Sequence, residues 1–241
     1  MKIKILTLFP KMFDEFKNES IIKRAIEKGV CSVECIDIRD YSLSKHHHVD
    51  DTPCGGGQGM VLAVDVVARC IRANTTPNSH IIMMTPQGQK YNQKKAEELK
   101  NYDELVILCG HYEGFDERIR TFVDEEISVG DFVLTGGEIP AMLISDSVIR
   151  LLDNAIKEES HLDDSFSTGL LEYPQYTRPI DFEGMVVPEV LLSGNHKNIN
   201  RFKRKESLRR TYLKRPDLLD NYPLSNEDKI LLNEIIEEEN K

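Results

Sequence analysis

The residues with the most chemical potential lie between Leu105 and Glu138. An apolar run, Leu105 to Cys109, ends in Gly110-His111-Tyr112-Glu113-Gly114. A second apolar run around Ile127 ends in Val129-Gly130-Asp131-Phe132-Val133-Leu134-Thr135-Gly136-Gly137-Glu138. A third turn of this kind, Thr85-Pro86-Gln87-Gly88, stands upstream. Glycine-bearing turns at the carboxyl ends of buried strands are where open α/β sheets take ligands. Glycine tolerates positive φ and lets the backbone approach a ligand closely. A single such turn reads as packing. Several together put one small-molecule pocket on an equal footing with that reading.

Missing motifs narrow the ligand. There is no G-x-x-x-x-G-K-[ST], which excludes a phosphate-cradling loop, and no G-x-G-x-x-G, which argues against a standard dinucleotide site. A cofactor with an adenosine end and no pyrophosphate remains, and S-adenosylmethionine fits that description.

Three further constellations stand out. In Lys45 to Gly59, His46, His47 and His48 precede Asp50 and Asp51, and Gly55, Gly56, Gly57 and Gly59 follow. Adjacent histidines diverge and rarely close one metal site. A glycine-rich loop with exposed N–H groups suits RNA-backbone contacts, with a plain surface loop as the alternative. Downstream, Arg201, Lys203, Arg204, Lys205, Arg209, Arg210, Lys214 and Arg215 interleave with Phe202 and Tyr212, and only Glu206 opposes them locally. Cations neutralise phosphates and aromatic rings stack on unpaired bases, so this reads as an RNA patch or as a solvated helix face. The last constellation is Arg150 with Asp164, in Asp163-Asp164-Ser165-Phe166.

The elements that must position these residues follow from periodicity. Apolar runs at Ile3 to Phe9, Val30 to Ile38, His80 to Met84, Leu105 to Cys109 and Glu126 to Val133 predict strands. Helical patterns run from Ser20 to a Gly29 cap, over Val64 to Ile71, Gln93 to Leu99 and Phe115 to Phe122, and from Glu138 through Leu152. Strand and helix alternate as in a mostly parallel α/β domain. The polar segment 157–173 reads as a flexible linker between a cofactor-binding domain, 1–156, and a basic helical domain, 174–241. Ser225 to Asn240 closes the chain as an amphipathic helix with Ile230, Leu231, Ile235 and Ile236 on one face.

Composition sets the outer bounds. The chain has 241 residues, 40% of them hydrophobic, and a net charge of −10. That charge argues against nonspecific nucleic-acid binding, so any RNA contact must come from a local patch. The five cysteines form no C-x-x-C pair, which disfavours zinc and suits reduced thiols. The opening run MKIKILTLFP is too short for a signal or membrane segment. A soluble, cytoplasmic protein without a membrane partner is expected.

At these residues the chain resembles the TrmD family of bacterial tRNA (guanine-37-N1)-methyltransferases, within the SPOUT methyltransferases. The carrying segments are Leu6 to Pro10, VDDTPCGGGQGM, TPQG, CGHYEG, VGDFVLTGGE, DDSF with YPQYTRP, LLSGNH and ESLRRTYLKRP, spread over nearly the whole chain. The resemblance implies an α/β domain with a deep trefoil knot, a small helical C-terminal domain, and a homodimer with its active site at the subunit interface. It implies that Met83, Met84, Pro86, Gly110, Tyr112, Glu113, Val129, Gly130, Phe132, Leu134, Gly136 and Gly137 bind S-adenosylmethionine. It assigns Asp164 as general base and Arg150 as its partner. His46, Asp50, Gly55, Gly56, Gly57, Ser165, Arg201, Lys203, Arg204, Arg209 and Arg210 become candidates for contact with a tRNA carrying guanosine at position 37. A divalent cation, magnesium, is implied as well, with Glu113 a candidate ligand and the metal site otherwise unknown.

The implied chemistry suits these residue types. Guanine N1 is protonated at neutral pH, so a carboxylate must take its proton as the methyl arrives. Negative charge then builds on O6, where a guanidinium stabilises it. The chain departs from the family pattern in three places. Leu151 to Ile156 lacks the usual proline- and glycine-bearing turn, and the run from Arg150 to Asp164 is one residue short. Cys54 and Gln58 stand where Tyr and Pro are commoner, and Met83 replaces an aromatic residue. Two other readings compete: a non-catalytic RNA-binding or assembly protein, and a SPOUT methyltransferase acting on another RNA position.

Overall fold

The computed structural model describes residues 1–156 and 164–240. They form two compact units, Met1–Glu158 and Glu159–Lys241.

The first unit is built on five parallel strands: β1 (Lys2–Thr7), β2 (Ser32–Asp37), β5 (Ser79–Lys90), β6 (Glu104–Cys109) and β7 (Glu125–Ser128), in the order β2-β1-β6-β5-β7. β3 (Asp50–Asp51) and β4 (Val61–Leu62) make a small antiparallel pair. The helices are α1 (Asp14–Asn18), α2 (Ser20–Glu27), α3 (Val64–Asn74), α4 (Gln93–Leu99) and α5 (Glu138–Ile149). Every residue of central β6 is buried, as a sheet covered on both faces requires. Alternate strand residues feed two separate cores. Ile3, Ile5, Leu105 and Ile107 pack with Ala141, Ile144 and Val148 of α5. Leu6, Val106 and Leu108 pack with Val66, Val67 and Ile71 of α3.

Three local expectations are corrected. Residues expected as a helix from Phe115 to Phe122 form a 3-10 helix, Glu117–Phe122, started by the Asp116 side chain accepting from the Arg118 N–H. β-Branched Ile119 and Thr121 lose side-chain freedom in an α-helix, and Val123 at its end is already extended. The strand expected to reach Val133 stops at Ser128. There the Ser128 hydroxyl donates to the Gly130 carbonyl and accepts from its N–H, turning the chain out of the sheet. The turn Thr85-Pro86-Gln87-Gly88 is an excursion within β5, since pairing with β7 resumes at Gln89 and Lys90.

The second unit holds a hairpin, β8 (Asp181–Phe182) with β9 (Met185–Val186), and helices α6 (Glu189–Leu192), α7 (His196–Lys214) and α8 (Asn226–Glu239). Leu170, Leu208, Leu231 and Ile235 form its core. Ser225 and Asp228 cap α8 reciprocally. Ile230, expected on the apolar face, is 59% exposed, because it lies about 100° round the helix from Leu231. Of the segment expected as a linker, 157–163 lie outside the described residues. In the rest, Leu170 is fully buried and its carbonyl accepts from the Phe166 N–H at 2.7 Å, while Phe166 is exposed. No described helix is long and apolar enough to cross a membrane.

Candidate functional site

The excursion in β5 and the carboxyl ends of β6 and β7 open on one cavity of about 460 Å³. All twelve residues expected to bind a cofactor line it: Met83, Met84, Pro86, Gly110, Tyr112, Glu113, Val129, Gly130, Phe132, Leu134, Gly136 and Gly137. Backbone joins two of its walls. The Gly137 N–H donates to the Gly110 carbonyl at 2.8 Å, and His111 bridges Gly136 in antiparallel fashion.

The glycines here are spatial necessities. A Cβ on Gly137 would stand 2.7 Å from Cys109 Cα, and one on Gly88 would stand 2.5 Å from the Glu126 carbonyl carbon. Neither obstacle is a side chain that could swing away. The backbone therefore forms the wall, leaving N–H and C=O groups to face a ligand. Tyr112 on the rim adopts φ +58, a costly conformation for a bulky residue, and is 45% exposed.

Sequence reasoning missed several lining residues, notably Gln87, Arg120 and Pro140. Gln87 lay within a motif already noted. Arg120 was missed because the contact that ties it to the cavity is long-range: its guanidinium donates to Gln87 Oε1 at 2.7 Å, besides pairing with Glu117 and Glu126 nearby in sequence. Arg118 beside Asp116 holds that carboxyl down at about 2, so the rim stays anionic there. Burial pushes the Cys109 thiol well above its ordinary value, which rules out a thiolate nucleophile beneath the cavity.

The glycine-rich loop is tied to the same cavity. The Glu113 N–H donates to Met60 O at 3.0 Å and the Leu62 N–H to Gly114 O at 2.9 Å. Gly59, at φ +82, lies against the Glu113 side chain, where a Cβ would fall 2.4 Å from Oε1. Gly55, Gly56 and Gly57 all take positive φ, which only glycine adopts freely. Asp50 sits in β3 opposite Leu62, and the His46 ring meets His48 edge-on at 5.8 Å.

Arg150 caps the far end of α5, whose first turn carries Pro140 of the cavity. At about 1.5 Å rise per residue the helix holds Arg150 roughly 15 Å from that turn, and it does not line the cavity of its own chain. In the second unit Asp164 accepts from the Ser167 N–H through its backbone carbonyl, and the Ser165 hydroxyl accepts from the Glu172 N–H at 3.0 Å.

The basic cluster divides by helix face. Arg201 pairs with Glu234, Lys205 with Glu234 and Glu238, and Arg209 with Glu206, Glu238 and Glu239. Arg204 donates twice to Asp228, at 2.6 and 2.9 Å, and once to Tyr222 Oη. Lys203 instead lies 4.5 Å over the Tyr173 ring. Among the described residues Lys203 and Arg210, seven apart and so on one side of α7, have no acidic partner.

No group of three or more His, Cys, Asp or Glu side chains comes together as a metal site among the described residues. Glu113, the candidate magnesium ligand, lines the cavity.

Comparison with known proteins adds the family. Residues 1–221 match the model of tRNA (Guanine-1)-methyltransferase TrmD. The tRNA (guanine-N(1)-)-methyltransferase of Geobacillus kaustophilus is 56% identical over 238 residues, 97% of this chain and 98% of the relative. Proteins of the same description from Macrococcus caseolyticus and Staphylococcus aureus are 55% identical over 231 residues and 54% over 235, covering at least 95% of both chains in each pairing. With a cavity walled by glycine turns at the strand ends and this likeness along its length, the chain belongs to the TrmD family of tRNA (guanine-1)-methyltransferases.

Proposed function

We propose that the protein transfers a methyl group from S-adenosylmethionine to N1 of guanosine-37 in the anticodon loop of tRNA. The observation that carries this is the convergence of turns from three strand ends on one cavity, in a chain of this family. S-adenosylmethionine supplies an electrophilic methyl on sulfonium sulfur. The chain must hold and orient it, and the glycine cradle suits a flat adenosine approached closely by backbone.

Asp164 takes the N1 proton and Arg150 stabilises charge developing on O6. Because α5 holds Arg150 away from its own chain's cavity, the assignment goes with a homodimer whose active site forms at the subunit interface. Exposed Ile139 and Leu143 on α5 support that reading. The trefoil knot belongs to it too, on the strength of family membership. The unit from residue 174 onward binds tRNA, with Lys203 and Arg210 meeting phosphates while Arg201, Arg204 and Arg209 hold α7 to α8. The glycine loop with His46 and Asp50, together with Ser165, contacts the anticodon loop. Five free cysteines accord with the cytoplasm.

The test is transfer of labelled methyl to tRNA transcripts bearing guanosine or adenosine at position 37, by the wild type and Asp164→Asn. Transfer to guanosine alone, lost in the variant, is expected. Equal transfer to both transcripts, or full activity in Asp164→Asn, would remove the base specificity or the base assignment respectively.

A further inference from the structure

Gly136 is the meeting point of two buried polar groups that the cavity lining leaves unexplained. A Cβ placed there would stand 2.3 Å from Glu138 Oε2 and 2.7 Å from His111 Nδ1, so both atoms press on one backbone point. Glu138 is 3% exposed. Its Oε1 accepts from the Thr7 hydroxyl at 2.8 Å, and that hydroxyl accepts from the Phe9 N–H at 2.9 Å. No other hydrogen bond to this carboxylate is present among the described residues. A buried carboxylate with one neutral donor is short of partners. His111 Nδ1 is buried with no partner. Its ring is gripped edge-on by Phe9 and Tyr112, with centroids 4.8 and 5.2 Å away.

We propose that His111 donates its Nδ1–H to Glu138 Oε2 across Gly136 in the working protein, and that this pair positions the two glycine turns for the cofactor. The proposal rests on reading the cavity as the S-adenosylmethionine pocket. Each group supplies what the other lacks: an unmatched carboxylate oxygen beside a buried, unmatched ring nitrogen. The bond would join the start of α5 to the turn that carries Tyr112 and Glu113. Two walls now linked by main chain alone would gain a side-chain brace. It would also explain why position 136 is glycine, since any Cβ would push the two groups apart. Neither side chain performs chemistry, so both are positioning residues.

The experiment measures S-adenosylmethionine affinity by calorimetry on the full chain, beside proton spectra of the unliganded protein. His111→Phe keeps the ring and removes the donor, and its affinity should fall about tenfold while KM for tRNA holds. His111→Asn places an amide N–H near the former Nδ1 and should stay within about threefold of wild type. The spectrum should show a downfield imidazole N–H resonance, absent in His111→Phe and shifted upfield in Glu138→Gln, whose neutral amide accepts more weakly. Wild-type affinity in His111→Phe overturns the proposal whatever the spectrum shows, and so does a missing resonance in a folded wild type. Leu134→Trp, which fills the cavity, separates the two readings. If it binds the cofactor normally, the pocket assignment fails and the proposal with it; if it loses the cofactor while His111→Phe binds as wild type does, the pocket stands and the pair alone fails.

Discussion

The cavity of the first unit and the α7–α8 clasp of the second are held together by opposite means. The cavity is made of main chain, with glycines placed where a single added carbon would strike backbone. The clasp is made of long charged side chains reaching between helices, and Asp228 is the one buried carboxylate among its described pairs. Rigid main chain gives a fixed shape that ignores salt and pH. Ion pairs give a joint that both can loosen. A protein that must grip a small cofactor tightly and a large polyanion reversibly has reason to use each where it stands.

The largest expected effect tests the rigidity of the cavity. Gly137→Ala drives a Cβ to 2.7 Å from Cys109 Cα. Overpacking of that kind costs about 1–3 kcal/mol, and the displaced wall should lower methyl transfer at least about 100-fold. Cofactor titration checks it, and near-normal binding would break the contrast outright. Next comes Arg204→Ala, which strands the 4%-exposed Asp228 carboxylate. About 3 kcal/mol should be lost from the second unit, read as earlier melting of helix signal, while cofactor affinity stays put.

A pH titration sharpens the same joint. Arg204 is the main reason the Asp228 carboxyl lies at about 2 in the folded protein, below its ordinary 3.8. A depressed value means the stabilisation is whole above 3.8 and drains away as pH falls toward 2. Helix signal from the second unit should therefore weaken across that window in the wild type, and Arg204→Ala should lack the step.

Smaller effects separate the two sides of α7. Lys203→Ala and Arg210→Ala should each raise KM for tRNA about fivefold and lower the salt slope of binding by about one. Glu238→Gln should leave melting unchanged, because its carboxylate is open to water, and should tighten nonspecific RNA binding slightly by removing one of the carboxylates shared by Lys205 and Arg209. Equal loss of tRNA binding from Arg201→Ala and Arg210→Ala would erase the distinction between the two sides.

The same contrast explains what could be read in advance. The strands of the sheet and the glycine turns were legible because their signals are local: apolar runs, and glycines at the strand ends. The clasp was not. Around Arg201 to Arg215 only Glu206 and Asp217 lie close in sequence, and the neutralising Asp228, Glu234, Glu238 and Glu239 come from the next long helix. Local counting therefore overstated the basic patch. Arg120 and His111 were passed over for a related reason, since Gln87 and Phe9, which tie them to the cavity, come from other segments. The stop of β7 at Ser128 turned on one hydroxyl bonded to both sides of Gly130, a detail that apolar periodicity does not carry.

The excursion in β5 has a consequence for anyone who would re-engineer this protein. Met84 pairs with Ile127 before it, and Gln89 pairs with the same Ile127 after it. In the arithmetic of the ladder the four intervening residues count as zero. Lengthening or trimming Thr85 to Gln87 leaves every other strand partner where it was, provided Gly88 stays, since a Cβ there would strike the β7 backbone. A library of altered loops at Thr85 to Gln87 could thus recut the mouth of the cavity, for cofactor analogues bulkier or slimmer than the natural one, on a sheet that never registers the change.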